Sequence, residues 1–156
     1  MQLFLLRHAE AEPHSENDEE RALTDKGRRQ AANIGRFCAA HDIVPDVILS
    51  SPLVRARETA EIVAHELGMP KRIQIEEFLG VGMTPESSIS GLEKYSGRAS
   101  VMLVGHEPDF SRLAGALIGG HRGSVRFRKA TLLSISLQNL KPGAGTIEFL
   151  IPVKCL

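Results

Sequence analysis

The sequence predicts an α/β fold: a three-layer sandwich with a mostly parallel central sheet, helices on both of its faces, and an antiparallel pair of strands from the C-terminal segment. Three short apolar runs are each followed by a stretch of helical periodicity, an alternation typical of parallel sheets with right-handed crossovers. Two later strand patterns, residues 130–137 and 146–151, flank a Lys-Pro-Gly turn and therefore predict an antiparallel pair. A length of 156 residues indicates a single domain, residues 1–156.

The strands follow from hydrophobic patterning taken in chain order. The three apolar runs that indicate buried parallel strands are residues 2–6, 46–50 and 100–104. Residues 72–78 alternate weakly and predict an edge strand. Between the first strand and the first helix, residues 9–22 are polar and rich in acid, which predicts an exposed loop.

The helices are predicted from periodicity together with capping signals. Thr24 is the expected N-cap of the first helix, which ends near Ala40. Ser51, followed directly by proline, is the expected N-cap of the second. A third helix is expected after Pro108, and a short one within residues 89–95.

Composition excludes several classes of protein. Lys and Arg total 19 and Asp and Glu total 19, so binding to nucleic acid or to a membrane surface is disfavoured as a main role. No apolar run reaches transmembrane length, and we expect a cytoplasmic protein that is a monomer. The two cysteines, Cys38 and Cys155, are far apart and predict neither a disulfide nor a metal site.

Four cationic or potentially cationic side chains follow the predicted strand ends: Arg7, His8, Arg55 and His106. Ligands of open α/β sheets bind at the carboxyl ends of the strands, so we expect these side chains to converge. The arginine guanidinium can bind phosphate with two parallel hydrogen bonds, and a neutral imidazole is a nucleophile toward phosphorus. The sequence therefore predicts a site for one phosphoryl group.

Short motifs at these positions carry a family resemblance. They are Leu6-Arg7-His8-Ala9-Glu10, Leu23-Thr24-x-x-Gly27, Ser51-Pro52-Leu53-Val54-Arg55-Ala56-Arg57-Glu58-Thr59-Ala60 and Val104-Gly105-His106. The first resembles the R-H-G/A signature of the histidine phosphatase superfamily, which has the phosphoglycerate mutase-like fold. The third resembles the S-P-L-x-R-A-x-Q-T-A helix of that superfamily, and the fourth resembles its G-H element.

The resemblance implies roles for these residues. It makes His8 the nucleophile that becomes phosphorylated, with Arg7, Arg55 and His106 binding the phosphoryl oxygens. The short chain, with only 50 residues between Arg55 and His106, resembles the compact SixA-type phosphohistidine phosphatases. Where mutases of the superfamily have a phosphate-binding Asn, this chain has His14, which counts against a mutase.

The proton donor is left open among Glu10, Glu77 and Glu107. An alkyl phosphate ester needs a general acid, whereas phosphohistidine leaves as imidazole and hardly needs one. Larger members of the superfamily normally carry an insertion between the second helix and the G-H element that covers the substrate, and the short spacing here resembles an open site. Both points favour phosphohistidine in a protein as the substrate.

Other charged residues have plain interpretations. Arg57 has Glu61 four residues on and predicts an exposed ion pair, which favours Arg55 as the site arginine. The remaining histidines show no metal-ligand spacing, so no metal is expected. The basic segment 121–129 is either a solvated loop or a docking site for an acidic partner.

The predicted activity is hydrolysis of phosphate through a phosphohistidine intermediate on His8, without metal or organic cofactor. The expected partner is a phosphorylated protein such as a histidine-containing phosphotransfer domain. One alternative is a phosphomonoesterase for a sugar or nucleoside phosphate. A second, from another class, is a phosphate-binding module without turnover.

Overall fold

A six-stranded sheet organises the chain, and it confirms the predicted fold class in a computed structural model that describes residues 1–156. The order of the strands across the sheet is β3-β2-β4-β1-β5-β6. The strands are β1 (Gln2–Arg7), β2 (Val47–Ser50), β3 (Ile73–Ile75), β4 (Ser100–Gly105), β5 (Thr131–Leu137) and β6 (Gly145–Pro152). The α-helices are α1 (Asp25–Ala40), α2 (Val54–Glu66), α3 (Pro85–Leu92) and α4 (Asp109–Leu117).

Strands β1 to β4 are parallel, and β5 and β6 form the antiparallel pair. Helical crossovers join the parallel strands, whereas a short loop suffices for an antiparallel hairpin. In the register of the sheet, Arg7 is opposite Gly105 and Ser50 is opposite Val104. The carboxyl ends of β1, β2 and β4 therefore meet at one edge.

Helices cover both faces of the sheet. Successive side chains of a strand point to opposite faces, so Leu3 and Leu5 belong to one apolar cluster and Phe4 and Leu6 to the other. Helices α1 and α2 pack together on the second face, where Cys38 is buried as predicted, and α3 and α4 cover the first. None of these helices is both long and apolar enough to cross a lipid bilayer.

The N-cap of α1 is Thr24, as predicted, with its side chain accepting a hydrogen bond from the Gly27 amide. The main chain of Glu10 passes so close to this turn that a Cβ on Gly27 would lie 1.9 Å from the Glu10 carbonyl oxygen. The start of α1 and the segment after β1 are thereby held together.

The predicted start of α2 at Ser51 is wrong. The helix begins at Val54, with Leu53 as an N-cap that makes no side-chain hydrogen bond. Ser51 instead bonds to the ring of His106, and its hydroxyl also accepts from the Leu53 amide. A tertiary contact thus outweighs the local capping signal.

Two further segments differ from expectation. The short helix starts at Pro85 rather than at residue 89, because Thr84 and Ser87 form a capping box. Residues 9–22 are not simply an exposed loop: Ala9 and Ala11 are buried, and Asp18–Glu20 form one turn of 3-10 helix.

Candidate active site

The four predicted site residues lie together at the carboxyl edge of the sheet. Arg7 ends β1 and His8 follows it, with the His8 amide donating to the Gly105 carbonyl over 2.9 Å. His106 directly follows β4, and its ring centroid lies 5.2 Å from that of His8. Arg55, in the first turn of α2, and Arg7 are close enough for their positive charges to lower the pKa of His8.

His8 is held as a neutral imidazole with one free nitrogen. Its Nδ1 lies 2.7 Å from the carbonyl oxygen of Ala9, which only accepts, so Nδ1 carries the proton and Nε2 the lone pair. Burial lowers the pKa of His8 from 6.5 to about 3; the hydrogen bond to Ala9 opposes this shift, and electrostatic interaction with His106, Arg55 and Arg7 adds to it. The side chain can therefore act as a nucleophile at neutral pH.

His106 is also buried, with 3% of its surface exposed. Its Nε2 lies 2.7 Å from the hydroxyl oxygen of Ser51, while its Nδ1 is buried and has no hydrogen-bond partner. Burial and then the charge of Arg55 lower its pKa to about 4. This ring is therefore neutral as well.

Both arginines are anchored through their terminal nitrogens. Arg7 donates from Nη1 to the Phe127 carbonyl over 2.9 Å. Arg55 donates from Nη1 to the Asp18 carbonyl over 2.7 Å and from Nη2 to the Asp18 carboxylate over 3.1 Å. The Nε of each guanidinium is buried and has no partner.

Unpaired buried nitrogens thus mark this site. Of the four in the structure, three are Nε of Arg7, Nε of Arg55 and Nδ1 of His106. The fourth, Nε of Arg21, lies 2.8 Å from the Asp18 carboxylate in an ion pair. Unpaired buried donors are uncommon in proteins and need an explanation, which an oxyanion accepting from all three would supply.

Of the three candidate proton donors, Glu107 is the one that interacts with a site residue. It directly follows His106, the Ser111 hydroxyl oxygen lies 2.8 Å from each of its carboxyl oxygens, and its charge interacts with that of Arg7. Burial raises the pKa of Glu107, which favours the protonated form.

Glu10 and Glu77 are not brought to the site by any side-chain contact. The Glu10 carboxylate lies 2.9 Å from Nζ of Lys26, and hydrogen bonding to Lys26 lowers its pKa. Glu77 begins the turn Glu77–Leu79, is exposed, and makes no side-chain hydrogen bond or ion pair. No hydrogen bond or ion pair therefore links either carboxyl group to the four site residues.

Arg57 is exposed, whereas Arg55 is 4% exposed. The ion pair predicted between Arg57 and Glu61 is not formed. Instead the adjacent Glu58 reaches across to α1, where its carboxylate lies 3.0 Å from Nη1 of Arg28. Arg55 is thus buried and Arg57 exposed, as expected, although the predicted ion pair of Arg57 is wrong.

The other histidines, His14, His41, His65 and His121, are all exposed. No group of three or more His, Cys, Asp or Glu side chains is placed to hold a metal ion. Within the basic segment 121–129, Val125 and Phe127 are buried in the core. The segment is therefore packed against the core through these two side chains and is not only a solvated loop.

Sequence reasoning missed Asp18 and Thr59. Asp18 lies in a run of acids, and nothing local separates it from its neighbours. The Thr59 hydroxyl donates to the Arg55 carbonyl over 2.7 Å and accepts from the Ala9 amide over 3.1 Å. Its place in the α2 motif was a usable signal, since it joins that helix to the segment after His8.

The fold and the arrangement of the four site residues are typical of an α/β protein that binds a phosphoryl group. Comparison with known proteins identifies the family. A family model described as histidine phosphatase superfamily, branch 1, matches residues 3–80. The chain belongs to this superfamily, and this membership together with its SixA-type relatives supports a phosphatase.

Individual relatives agree with this assignment. A phosphohistidine phosphatase SixA homolog of Haemophilus influenzae is 35% identical over 86% of this chain and 87% of its own. The solved structure of the protein histidine phosphatase SixA complexed with tungstate is similar in fold, with a TM-score of 0.91, 24% identity and 99% of both chains covered. A putative alpha-ribazole-5'-P phosphatase of Escherichia coli K-12 also shares the fold, with a TM-score of 0.80, 19% identity and 98% coverage of both chains.

Proposed function

We propose that this protein is a phosphohistidine phosphatase that acts on phosphorylated proteins and uses His8 as its nucleophile. The observation that carries the proposal is the set of three unpaired buried donors around a neutral His8: Nε of Arg7, Nε of Arg55 and Nδ1 of His106. Three donors match the three non-bridging oxygens of a phosphoryl group.

In the first step, the lone pair on Nε2 of His8 attacks phosphorus. The N–P bond of the substrate breaks, its electron pair stays on the leaving imidazole, and that imidazole takes a proton from solvent or from Glu107. Both site arginines and His106 stabilise the charge spread over the transferring oxygens. The result is phosphorylated His8 and an unmodified histidine in the substrate.

In the second step, water attacks the phosphorus of phosphorylated His8. The new P–O bond replaces the P–N bond, the electron pair returns to Nε2, and inorganic phosphate leaves with the protons of the water, which it shares with solvent. Because Nδ1 keeps its hydrogen bond to the Ala9 carbonyl, the ring returns to the same tautomer for the next turnover.

The leaving group supports phosphohistidine as the substrate. Imidazole leaves readily, so a site with a single adjacent carboxyl group, Glu107, is sufficient. The relative from Haemophilus influenzae is itself named for phosphohistidine. A phosphorylated histidine-containing phosphotransfer domain is the kind of partner that would present this group.

One observation favours a second candidate, a phosphomonoesterase for small phosphate esters. The raised pKa of Glu107 and its hydrogen bonds to Ser111 suit a general acid that protonates an alkoxide leaving group. A phosphate-binding module without turnover is disfavoured, because binding alone requires no neutral nucleophile beside the anion.

Rapid quench of the protein with a 32P-labelled phosphohistidine peptide tests the proposal. We expect acid-labile label on the wild-type chain within the first turnover and none on His8→Gln, with turnover of that variant lower by at least about 1,000-fold. The matched control is the exposed His41→Gln, which should label normally. A wild-type chain that hydrolyses the peptide without ever carrying label contradicts the proposed mechanism.

A further inference from the structure

A groove lined by positive charges lies next to the site, and the catalytic scheme does not use it. It has a volume of about 330 Å³ and is bordered by the turn before β5, the end of β6 and the first turn of α1. Its cations are Lys26, Arg128, Lys129 and Lys154, and its single carboxylate is Glu10. All four cationic side chains are exposed at this surface.

The groove is attached to the site through the main chain. The amide of Ala130 donates to the carbonyl of His8 over 3.2 Å, and the carbonyl of Phe127 accepts from Arg7. The two residues between them, Arg128 and Lys129, both line the groove. With standard bond lengths, the Cα of Lys129 lies at most about 8 Å from that of His8.

Only one of the four cations of the groove is paired with a carboxylate. Nζ of Lys26 is 2.9 Å from the Glu10 carboxylate, so this pair is neutral overall. Arg128, Lys129 and Lys154 form no ion pair with any carboxylate of the chain, although Lys129 adds to the lowering of the Glu10 pKa. The groove therefore presents an excess of positive charge that is accessible to a partner.

We infer that this groove binds acidic side chains flanking the phosphorylated histidine of a protein substrate; the inference rests on the proposed function. None of the three residues with unpaired buried donors, Arg7, Arg55 and His106, lines the groove, so the groove is available to another part of the ligand. A protein surface presents carboxylates several ångströms from the phosphoryl group, and the Cα atoms of His8 and Lys129 are at most about 8 Å apart. Complementary charge of this kind raises the association rate and selects the partner.

Two synthetic phosphohistidine peptides of equal length test the inference, one with Asp and Glu flanking the phosphohistidine and one with Asn and Gln. The variant is Lys129→Gln with Lys154→Gln. The matched control is Lys71→Gln with Lys141→Gln, two exposed lysines in the loops that precede β3 and β6. Because Leu137 of β5 bonds to Met1, the loop carrying Lys141 lies at the amino end of β1, opposite the site.

At about 20 mM salt we expect the wild type to hydrolyse the acidic peptide with a kcat/KM about fivefold above that for the neutral peptide. The preference should disappear in Lys129→Gln/Lys154→Gln, persist in the control, and fade at about 300 mM salt because ions screen exposed charges. Turnover of free phosphohistidine should change less than twofold in either double variant.

Equal turnover of the two peptides by the wild type overturns the inference, as does a preference that survives in Lys129→Gln/Lys154→Gln. A variant that loses activity equally on both peptides also overturns it, because the groove would then serve the phosphoryl group itself. Failure of the wild type to release phosphate from either peptide and from free phosphohistidine overturns the proposed function together with the inference. Turnover of free phosphohistidine therefore separates the two failures.

Discussion

The hydroxyl of Ser51 lies 2.7 Å from Nε2 of His106, and this contact decides which nitrogen of His106 carries the proton. The Ser51 oxygen already accepts a hydrogen bond from the Leu53 amide, so its own hydrogen is free to be donated to Nε2. Nδ1, which is buried and unpaired, then carries the proton that a phosphoryl oxygen accepts. Ser51 is in this sense a positioning residue for His106.

Ser51→Ala should lower kcat roughly tenfold to hundredfold, because the His106 ring loses its orientation and its tautomer. The 15N chemical shifts of the His106 ring nitrogens report its tautomer, which should change in the variant. Loss of a purely structural contact would leave these shifts unchanged. Ser88→Ala is the matched control, since Ser88 is equally buried but bonds to the Thr84 carbonyl. An unchanged His106 tautomer in Ser51→Ala would refute the positioning role.

Glu107→Gln separates the two candidate functions. On alkyl phosphate esters we expect kcat to fall about 100-fold, because the leaving alkoxide loses its proton donor. On a phosphohistidine peptide the loss should stay below about threefold, since imidazole leaves without such help. Steady-state kinetics on both substrates, with the exposed Glu77→Gln as control, measures the difference. Equal losses on the two substrates would contradict the assigned role of Glu107.

Asp18→Asn should tighten competitive inhibition by inorganic phosphate about threefold, because a negative charge beside Arg55 competes with the anion through space. The backbone carbonyl of residue 18 remains to hold Nη1 of Arg55. Glu16→Gln removes an exposed charge from the same segment without breaking an ion pair and should leave inhibition unchanged. Weaker inhibition in Asp18→Asn would mean that orienting Arg55 outweighs the charge.

The lowered pKa values of His8 and His106 make stability depend on pH. Both fall from 6.5, to about 3 and about 4, so in this range the unfolded chain binds protons that the folded chain does not. The free energy of unfolding therefore decreases as pH falls from 6.5 towards 4, by up to about 1.4 kcal/mol per pH unit for each histidine. Well above pH 6.5, where both histidines are neutral in the folded and the unfolded chain, these two groups contribute no pH dependence.

Urea unfolding in phosphate-free buffer measures this dependence. His8→Gln should remove up to about 1.4 kcal/mol per pH unit from the slope below pH 6.5, while the exposed His41→Gln keeps the wild-type slope. A His8→Gln variant whose slope equals that of the wild type would show that His8 titrates normally in the folded chain.

The residues that sequence alone located are those whose position follows from local pattern. Arg7, His8 and His106 stand at the ends of apolar strands, and parallel pairing brings such ends together whatever the details of the packing. Thr24 is another case, since its capping bond spans only three residues. Short-range periodicity was therefore enough for the fold class and for the location of the site.

Contacts between distant segments could not be predicted. Asp18 meets Arg55 across 37 residues, and the Phe127 carbonyl meets Arg7 across 120. The Ser51 error has the same origin, because its partner His106 is 55 residues away and displaces the capping role. Which acid or carbonyl reaches a given arginine depends on packing that single-residue propensities do not encode.

The turn that joins the groove to the site has one unusual backbone conformation. Ala130 has φ of 52°, a left-handed geometry that costs a non-glycine residue about 1 kcal/mol. It is retained because the methyl group is fully buried, the amide bonds to His8, and the carbonyl accepts from Val153. Arg128 and Lys129 thus directly precede a residue whose backbone is held by buried contacts on both sides. A partner that binds this groove would not have to order the backbone of the turn, because folding has already fixed it.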